Sequence, residues 1–475
     1  MIALLMLGAA PAGASLLDDH LDALLAVASG GARCAVIKQV AEVELGYRCH
    51  LAPPQRNLRG FPCLDVLDAS CAPVDVDCTS PTVSGDYTWP DDGEDLCLDG
   101  ESIALSGALT VSPGARSVWG LTCVCEADEV IIEETALRDL RGLDNLSVVN
   151  GDLQLWDNLD LRSLTGLESL RRVNDTLWLN RLPMLTDLSP LSAVTSTRTL
   201  YINECEALED LSGLDALTQI TSALTLKENP ALSSLTGLEN VERIGQLGVH
   251  ECPGLSDLSG LDALTELEEL VLQAGNTGLR DLSGIEGVTE LTELTINRDD
   301  TLTDLSGLEN LTIIHERLTL FRAVSLENLS GLENLTGIGH RLDIEGNEAL
   351  VDLSGLEAVD SIGTHLIVEE NPVLESLSGL DNVTGVGGEL WIWENPSLLS
   401  LDGLESLTSV GDDLDIHENY DLADITALMG LTSVTNDFRV YDNYDLPTSQ
   451  VEAVIDAIGE DNIGGDIEVY DNAAD

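Results

Sequence analysis

Two tryptophans, Trp391 and Trp393, flank one isoleucine in the segment GGELWIWENPSLLS, in a chain where Phe, Tyr and Trp make up 3% of residues. Leu390 and Ile392 supply the apolar phase of a period-two pattern. Both indoles are therefore expected on the opposite face of one strand, about 7 Å apart. Flat rings offer large contact area at small entropic cost, so an exposed group of them is chemistry for binding. At the repeat position of Trp393 the following units carry His417, Tyr441 and Tyr470, while Asp415 and Arg439 follow Trp391. Nearer the N-terminus Trp156, Trp178 and Tyr201 take outward positions, with Phe321 between the two groups. Trp391, Trp393, His417, Arg439, Tyr441, Tyr470, Phe321, Trp156, Trp178 and Tyr201 are the candidate ligand contacts. The competing explanation is that aromatics favour strands and shield one another there.

Other reactive residue types point away from catalysis. Asp144, Glu168, Asp215, Glu239, Asp262, Glu286, Glu309, Glu333, Glu357, Asp381 and Glu405 each directly follow a Gly-Leu or Gly-Ile pair. Like charges in file repel unless screened or bridged. Calcium would bridge them, but the Gly- and Asp-rich nonapeptide of calcium-binding rolls is missing. A solvated edge that blocks aggregation is the expectation, and no cofactor is assigned. His315, His340 and His365 precede successive strands slightly out of phase, which suits solvated turns better than a metal site. Polysaccharide-cleaving β-helices need clustered carboxylates with Arg or Lys in a groove. Here the carboxylates form monotonous columns and the only lysines are Lys38 and Lys227. No Ser-His-Asp, Walker or dinucleotide motif is present. The expectation is a protein that is not an enzyme.

The elements that must hold these columns repeat. Gly142, Gly166, Gly213, Gly237, Gly260, Gly284, Gly307, Gly331, Gly355, Gly379 and Gly403 mark the units, with Pro190 and Ala427 at the same place in two more, in steps of 23 or 24 residues. Each unit has one period-two segment (DLQLW, TLWLN, RLTLF, ELWIW, DLDIH), the mark of a strand buried on one face. The remainder spaces its apolar residues by three, as in Leu398, Leu401, Leu404, Leu407 and Val410, which suits short extended pieces and corners rather than a helix. Each unit then reads as one coil of an all-β solenoid. Strands starting at Val130, Leu153, Leu177 and onward to Phe438 and Ile467 give about fifteen coils. At about 4.8 Å per coil they make a rod about 70 Å long. The longer last step contains SQVEAVIDAIGED, a capping helix. Asn158, Asn229, Asn347, Asn371, Asn395, Asn419, Asn443 and Asn472 follow the strands and are expected to stack and bond the turn backbone. Cys205 and Cys252 share that corner two coils apart, too far for a disulfide. They are expected as buried free thiols.

Bulk composition sets the compartment and excludes partners. Against 21 Lys plus Arg stand 85 Asp plus Glu, a formal net charge of -64. Such a chain repels nucleic acid and anionic membrane surfaces. MIALLMLGAAPAGASLL carries no charge and ends near a small-x-small site, so residues 1–14 read as a signal peptide despite the missing basic segment. No later stretch is long and apolar enough to span a bilayer. Residues 15–97 read as a cysteine-rich N-terminal unit, 98–129 as an N-terminal cap, 130–445 as the solenoid and 446–475 as the C-terminal cap. Cys34, Cys49, Cys63, Cys71, Cys78, Cys97, Cys123 and Cys125 read as up to four disulfides of an exported protein.

The unit LENLSGLENLTGIGHRLDIEGNEAL (residues 326 to 350) resembles those of the receptor L-domain family, a leucine-rich module of receptor ectodomains also abundant in exported bacterial proteins. The resemblance covers about residues 126 to 475. It implies a right-handed parallel β-helix and an extracellular or cell-surface recognition role. The array here runs unbroken over far more coils than a receptor L-domain, and no furin-like repeat or kinase follows. The leading expectation is recognition of a protein or glycan through the outward sheet face. The alternatives are a structural or adhesive envelope spacer and, remotely, a polysaccharide-active enzyme.

Overall fold

Leu398, Leu401, Leu404, Leu407, Val410, Leu414 and Ile416, the apolar residues of one coil, are all fully buried. Their spacing of three comes from successive tight turns: the Leu404 N–H donates to Leu401 O at 3.1 Å, and the Leu407 N–H to Leu404 O at 3.0 Å. Each turn brings one leucine inward without building a helix. The spacing changes to two at Leu414–His417, where inward and outward side chains alternate along a strand. The structure, a computed structural model, describes residues 48–49, 71–72, 82–89 and 102–474.

Stacking the coils in parallel gives one continuous sheet. Leu109, Val130, Leu153, Leu177, Leu200, Leu224, Leu247 and Leu270 are successive partners. Leu294, Leu318, Leu342, Leu366, Leu390, Leu414, Phe438 and Ile467 continue the file. The fold is thus a leucine-rich parallel β-solenoid, in the register that the repeat implies. The ladder starts earlier than the first strand expected from the repeat: Ile103–Val111 pairs in parallel with Val124–Glu133, and Tyr87–Trp89 pairs with Ile103–Val111. A second ladder of two-residue strands, among them Ser361–Ile362, Gly385–Val386 and Ser409–Val410, precedes the main strand in each later coil. In central coils both pieces fuse, as in Gln219–Lys227, with a register shift at the junction.

Two polar devices recur along the coils. The first is the glycine turn. Gly403 has φ 109, and a Cβ there would lie 2.1 Å from Leu377 O of the preceding coil, so only glycine fits. Its N–H donates to Glu405 Oε2 at 2.9 Å. The same bond recurs from Gly142 to Asp144 at 2.7 Å, Gly237 to Glu239 at 2.8 Å and Gly355 to Glu357 at 2.9 Å. The acidic file is therefore more than the solvated edge expected from the sequence. Its carboxylates are part-buried acceptors that bind the turn backbone.

The second device is the asparagine corner. Asn371, Asn395, Asn419 and Asn443 are fully buried. Asn395 Nδ2 donates to Val368 O, Trp393 O and Asn419 Oδ1, all within 3.2 Å, and its Oδ1 accepts the Asn371 N–H at 3.1 Å. The stack expected from the sequence is thus a bonded ladder. Asn276 and Asp299 belong to the same corner, although the sequence pattern did not place them there.

Among the described residues one α-helix, α1 (Thr448–Ile458), lies before the last strand and buries Val451, Val454, Ile455 and Ile458, a helical stripe. No helix of the described residues is long and apolar enough to cross a membrane. The leader expected at 1–14, most of the 15–97 unit and Cys34, Cys63, Cys78 and Cys97 lie outside the described residues. Cys49 and Cys71 sit on the short antiparallel pair Arg48–Cys49 and Cys71–Ala72. Cys123 and Cys125 are buried at the N-terminal end of the solenoid. Cys205 and Cys252 are buried free thiols.

Candidate functional site

Strand Leu390–Trp393 alternates buried Leu390 and Ile392 with half-buried Trp391 and Trp393, so both indoles leave the same sheet face. Parallel pairing carries each column to its neighbours without offset. Trp393 partners His417, then Tyr441, then Tyr470, while Trp391 partners Asp415, then Arg439. The first column stacks as rings. Trp393 and His417 centroids are 5.4 Å apart at 19°, His417 and Tyr441 4.6 Å at 7°, and Tyr441 and Tyr470 4.8 Å at 19°. Trp391 Nε1 is buried without a hydrogen-bond partner.

Charge surrounds this stack. His417 Nδ1 lies 2.8 Å from Asp415 Oδ1, and Arg439 is held by Asp413, Asp415 and Asp437. Burial, with the nearby Asp415 carboxylate, pushes the Tyr441 phenol up to about 12. Towards the N-terminus the column continues through Glu369 and Glu345. Burial and the Glu345 carboxylate push Glu369 up to about 7. Phe321 comes next, with the guanidinium groups of Arg322 and Arg298 at 5.0 and 5.8 Å from its ring centroid.

Between each strand and its asparagine stands one residue in the left-handed region. Glu370, Glu394, Glu418, Asp442 and Asp471 have φ of 55, 53, 57, 56 and 50. Non-glycine residues enter this region at a cost of about 1 kcal/mol each, which the asparagine ladder offsets locally. The consequence is a carboxylate file beside the ring stack. Beyond the asparagine, Tyr420 and Tyr444 stack at 5.3 Å and 4° and are 42% and 58% exposed. The sequence reasoning missed this pair, because it lies on the turn and not on a strand. The repeated Asn-Tyr-Asp-Leu, 24 residues apart, was the available signal.

The other candidates form a separate group. Trp156 and Trp178 meet edge to face at 5.6 Å, and Trp178 and Tyr201 at 4.6 Å and 52°. Trp178 and Tyr201 share the column of Trp391, whereas Trp156 lies in the column of Trp393. His315 faces Glu290 of the preceding coil at 3.2 Å and His365 faces Glu389 of the following coil at 3.3 Å, so these histidines pair with carboxylates of adjacent coils. Among the described residues, Glu133, Glu134 and Asp157 lie close enough together to hold a cation.

Fold and face together define an acidic, leucine-rich β-solenoid displaying ordered aromatic columns. No family model matches the chain, and no curated protein matches it. Among solved structures, a similar chain is that of the "Crystal structure of TLR13-ssRNA13 complex", 16% identical, with 78% of this chain and 63% of that chain covered and a TM-score of 0.23. The chain thus spans less than two thirds of that structure's length, and a likeness at this level says nothing of function.

Proposed function

We propose that the protein is a non-enzymatic, exported recognition solenoid, of the receptor L-domain kind, which binds an extracellular partner through the sheet face bearing Trp391 and Trp393. The observation that carries this reading is the ring stack Trp393–His417–Tyr441–Tyr470, ordered across four coils on an outward face with Tyr420 and Tyr444 alongside. A sheet that needed only to stay soluble would place charged residues there. The uncharged leader and the early cysteines support export.

The test is a screen of surface proteins and glycans against the purified chain, with calcium and with chelator, repeated with Trp391→Ala plus Trp393→Ala. The double variant loses capture of the partner while its melt falls by only a few degrees. Unchanged capture, or a collapse of the melt, overturns the reading. The spacer alternative draws on a different observation, the bonded asparagine run from Asn472 back to Asn347, which continues past the aromatic face. Under it, removing whole coils changes cell phenotype and the double variant does not.

A further inference from the structure

We infer that the C-terminal aromatic face docks a lysine- or arginine-rich segment of a partner protein, an inference that rests on the recognition reading above and narrows it. The first argument is charge. Between Arg341 and the C-terminus the only Lys or Arg is Arg439, and Asp413, Asp415 and Asp437 already hold it. The carboxylates of Glu394, Glu418, Asp442 and Asp471 stand in file beside the rings, and among the described residues no Lys or Arg pairs with them. A docking cation relieves that repulsion, and a neutral ligand does not.

The second argument is ring geometry. Sugar rings are recognised on open aromatic faces. In the main stack the faces of His417 and Tyr441 are covered on both sides by their neighbours. What they present outward is ring edge, hydroxyl and apolar rim. Open faces remain on Tyr470 at the end of the stack and on the outer sides of the Tyr420–Tyr444 pair, where Tyr420 lies near the Glu418 and Glu394 carboxylates. A guanidinium or ammonium group placed there meets an aromatic face and a carboxylate together, the arrangement that favours cations. The aliphatic stem of the same side chain lies along the rims of the main stack. An anionic glycan is repelled by the same file, so polypeptide is the occupant this surface fits.

The experiment uses the full chain and a synthetic peptide alternating arginine with glycine, against the same peptide with citrulline for arginine. The arginine peptide binds at least tenfold more tightly, and added salt weakens it. Glu394→Gln with Glu418→Gln lowers affinity at least tenfold. Glu228→Gln with Glu251→Gln, the same change in the same file at mid-rod, alters it less than twofold. Near-UV circular dichroism confirms that both variants keep the fold. Failure of the arginine peptide to bind, equal losses in both pairs, or binding only with calcium present overturns the inference. A neutral glycan or protein captured by the full chain, and lost with Trp391→Ala plus Trp393→Ala, overturns it too while the recognition reading stands. No capture of any partner removes both.

Discussion

The imidazole of His417 lies flat against the phenol ring of Tyr441, planes 7° apart and centroids 4.6 Å apart. His417 is thus the joint that connects Trp393 to the two tyrosines. Each ring pair contributes about 0.5–1.5 kcal/mol beyond burial. His417→Ala removes two pairs and the contact to Asp415, so we expect a loss of about 1–3 kcal/mol in chemical unfolding. The near-UV circular dichroism of the Trp and Tyr bands falls with it, while far-UV signal is kept. An unchanged near-UV spectrum would show that the rings are not coupled in solution.

Asn395 is bonded as fully as its neighbours in the ladder, donating to Val368 O, Trp393 O and Asn419 Oδ1 and accepting the Asn371 N–H. Asn395→Ala leaves those buried groups unpaired, at about 1–3 kcal/mol for each that finds no water. A loss of at least about 3 kcal/mol is expected. The adjacent Glu394→Gly relaxes a left-handed residue and changes stability by under about 1 kcal/mol, in either direction. Equal losses from the two neighbours, measured by guanidinium unfolding, would refute the division of labour between strain and ladder.

These residues also show what was legible beforehand. The register from Val130 to Ile467 could be read directly, because period-two apolar spacing fixes the strand face and the 23- or 24-residue step fixes the partner. The outward columns followed from that alone. The role of Glu405 and its equivalents did not, since a carboxylate after Gly-Leu looks the same in sequence whether it faces water or accepts the glycine N–H. The left-handed file was hidden for a related reason: strand-ending Glu and Asp give no signal of positive φ, which glycine or asparagine normally marks. Asp299 gives no sequence sign of the corner, because a carboxylate after a strand is as common on the solvated turns of this acidic chain.

Asp299 is itself a test of the ladder. It is fully buried, its Oδ1 accepts the Thr301 and Leu302 N–H groups at 3.0 and 2.9 Å, and its Oδ2 has no partner. At the same corner Asn276 and Asn347 donate to Val249 O and Leu320 O, whereas a carboxylate has no proton to give. Burial raises the Asp299 acid above its ordinary value. The folded state therefore favours the protonated form, and that stability is present at acid pH and lost as pH rises through the raised value. Asp299→Asn supplies the amide permanently. We expect the variant to match the parent near pH 4 and to exceed it by about 1–2 kcal/mol at pH 7. Thermal melts across that range decide it, and a variant less stable at neutral pH rules the argument out.

Cys205 and Cys252 occupy the corner on either side of Asn229, whose Oδ1 accepts the Cys205 N–H at 2.9 Å. Burial pushes the two thiols up to about 12 and about 11. Thiolate is the reactive form, so neither should react in the folded protein. Intact-mass measurement after iodoacetamide at pH 8 is expected to show both unmodified in buffer and both alkylated in guanidinium. Rapid labelling without denaturant would mean that this corner opens on its own.

Glu369 links the aromatic face to pH. Burial and the Glu345, Glu370 and Asp343 carboxylates hold its acid at about 7, and the Arg322 guanidinium, which acts on Glu345, is engaged with Glu370 and Phe321. Because this value lies above that of an unfolded glutamate, folding favours the protonated form below about pH 4.5, and the advantage disappears as pH climbs through 7. Glu369→Gln carries no such titration. Its melting temperature should equal that of the parent near pH 4.5 and stand above it at pH 8. Parallel curves for the two proteins over that interval would show that the Glu345–Glu369 pair ionises independently, and that the carboxylates beside Trp393 are already relaxed without a cation.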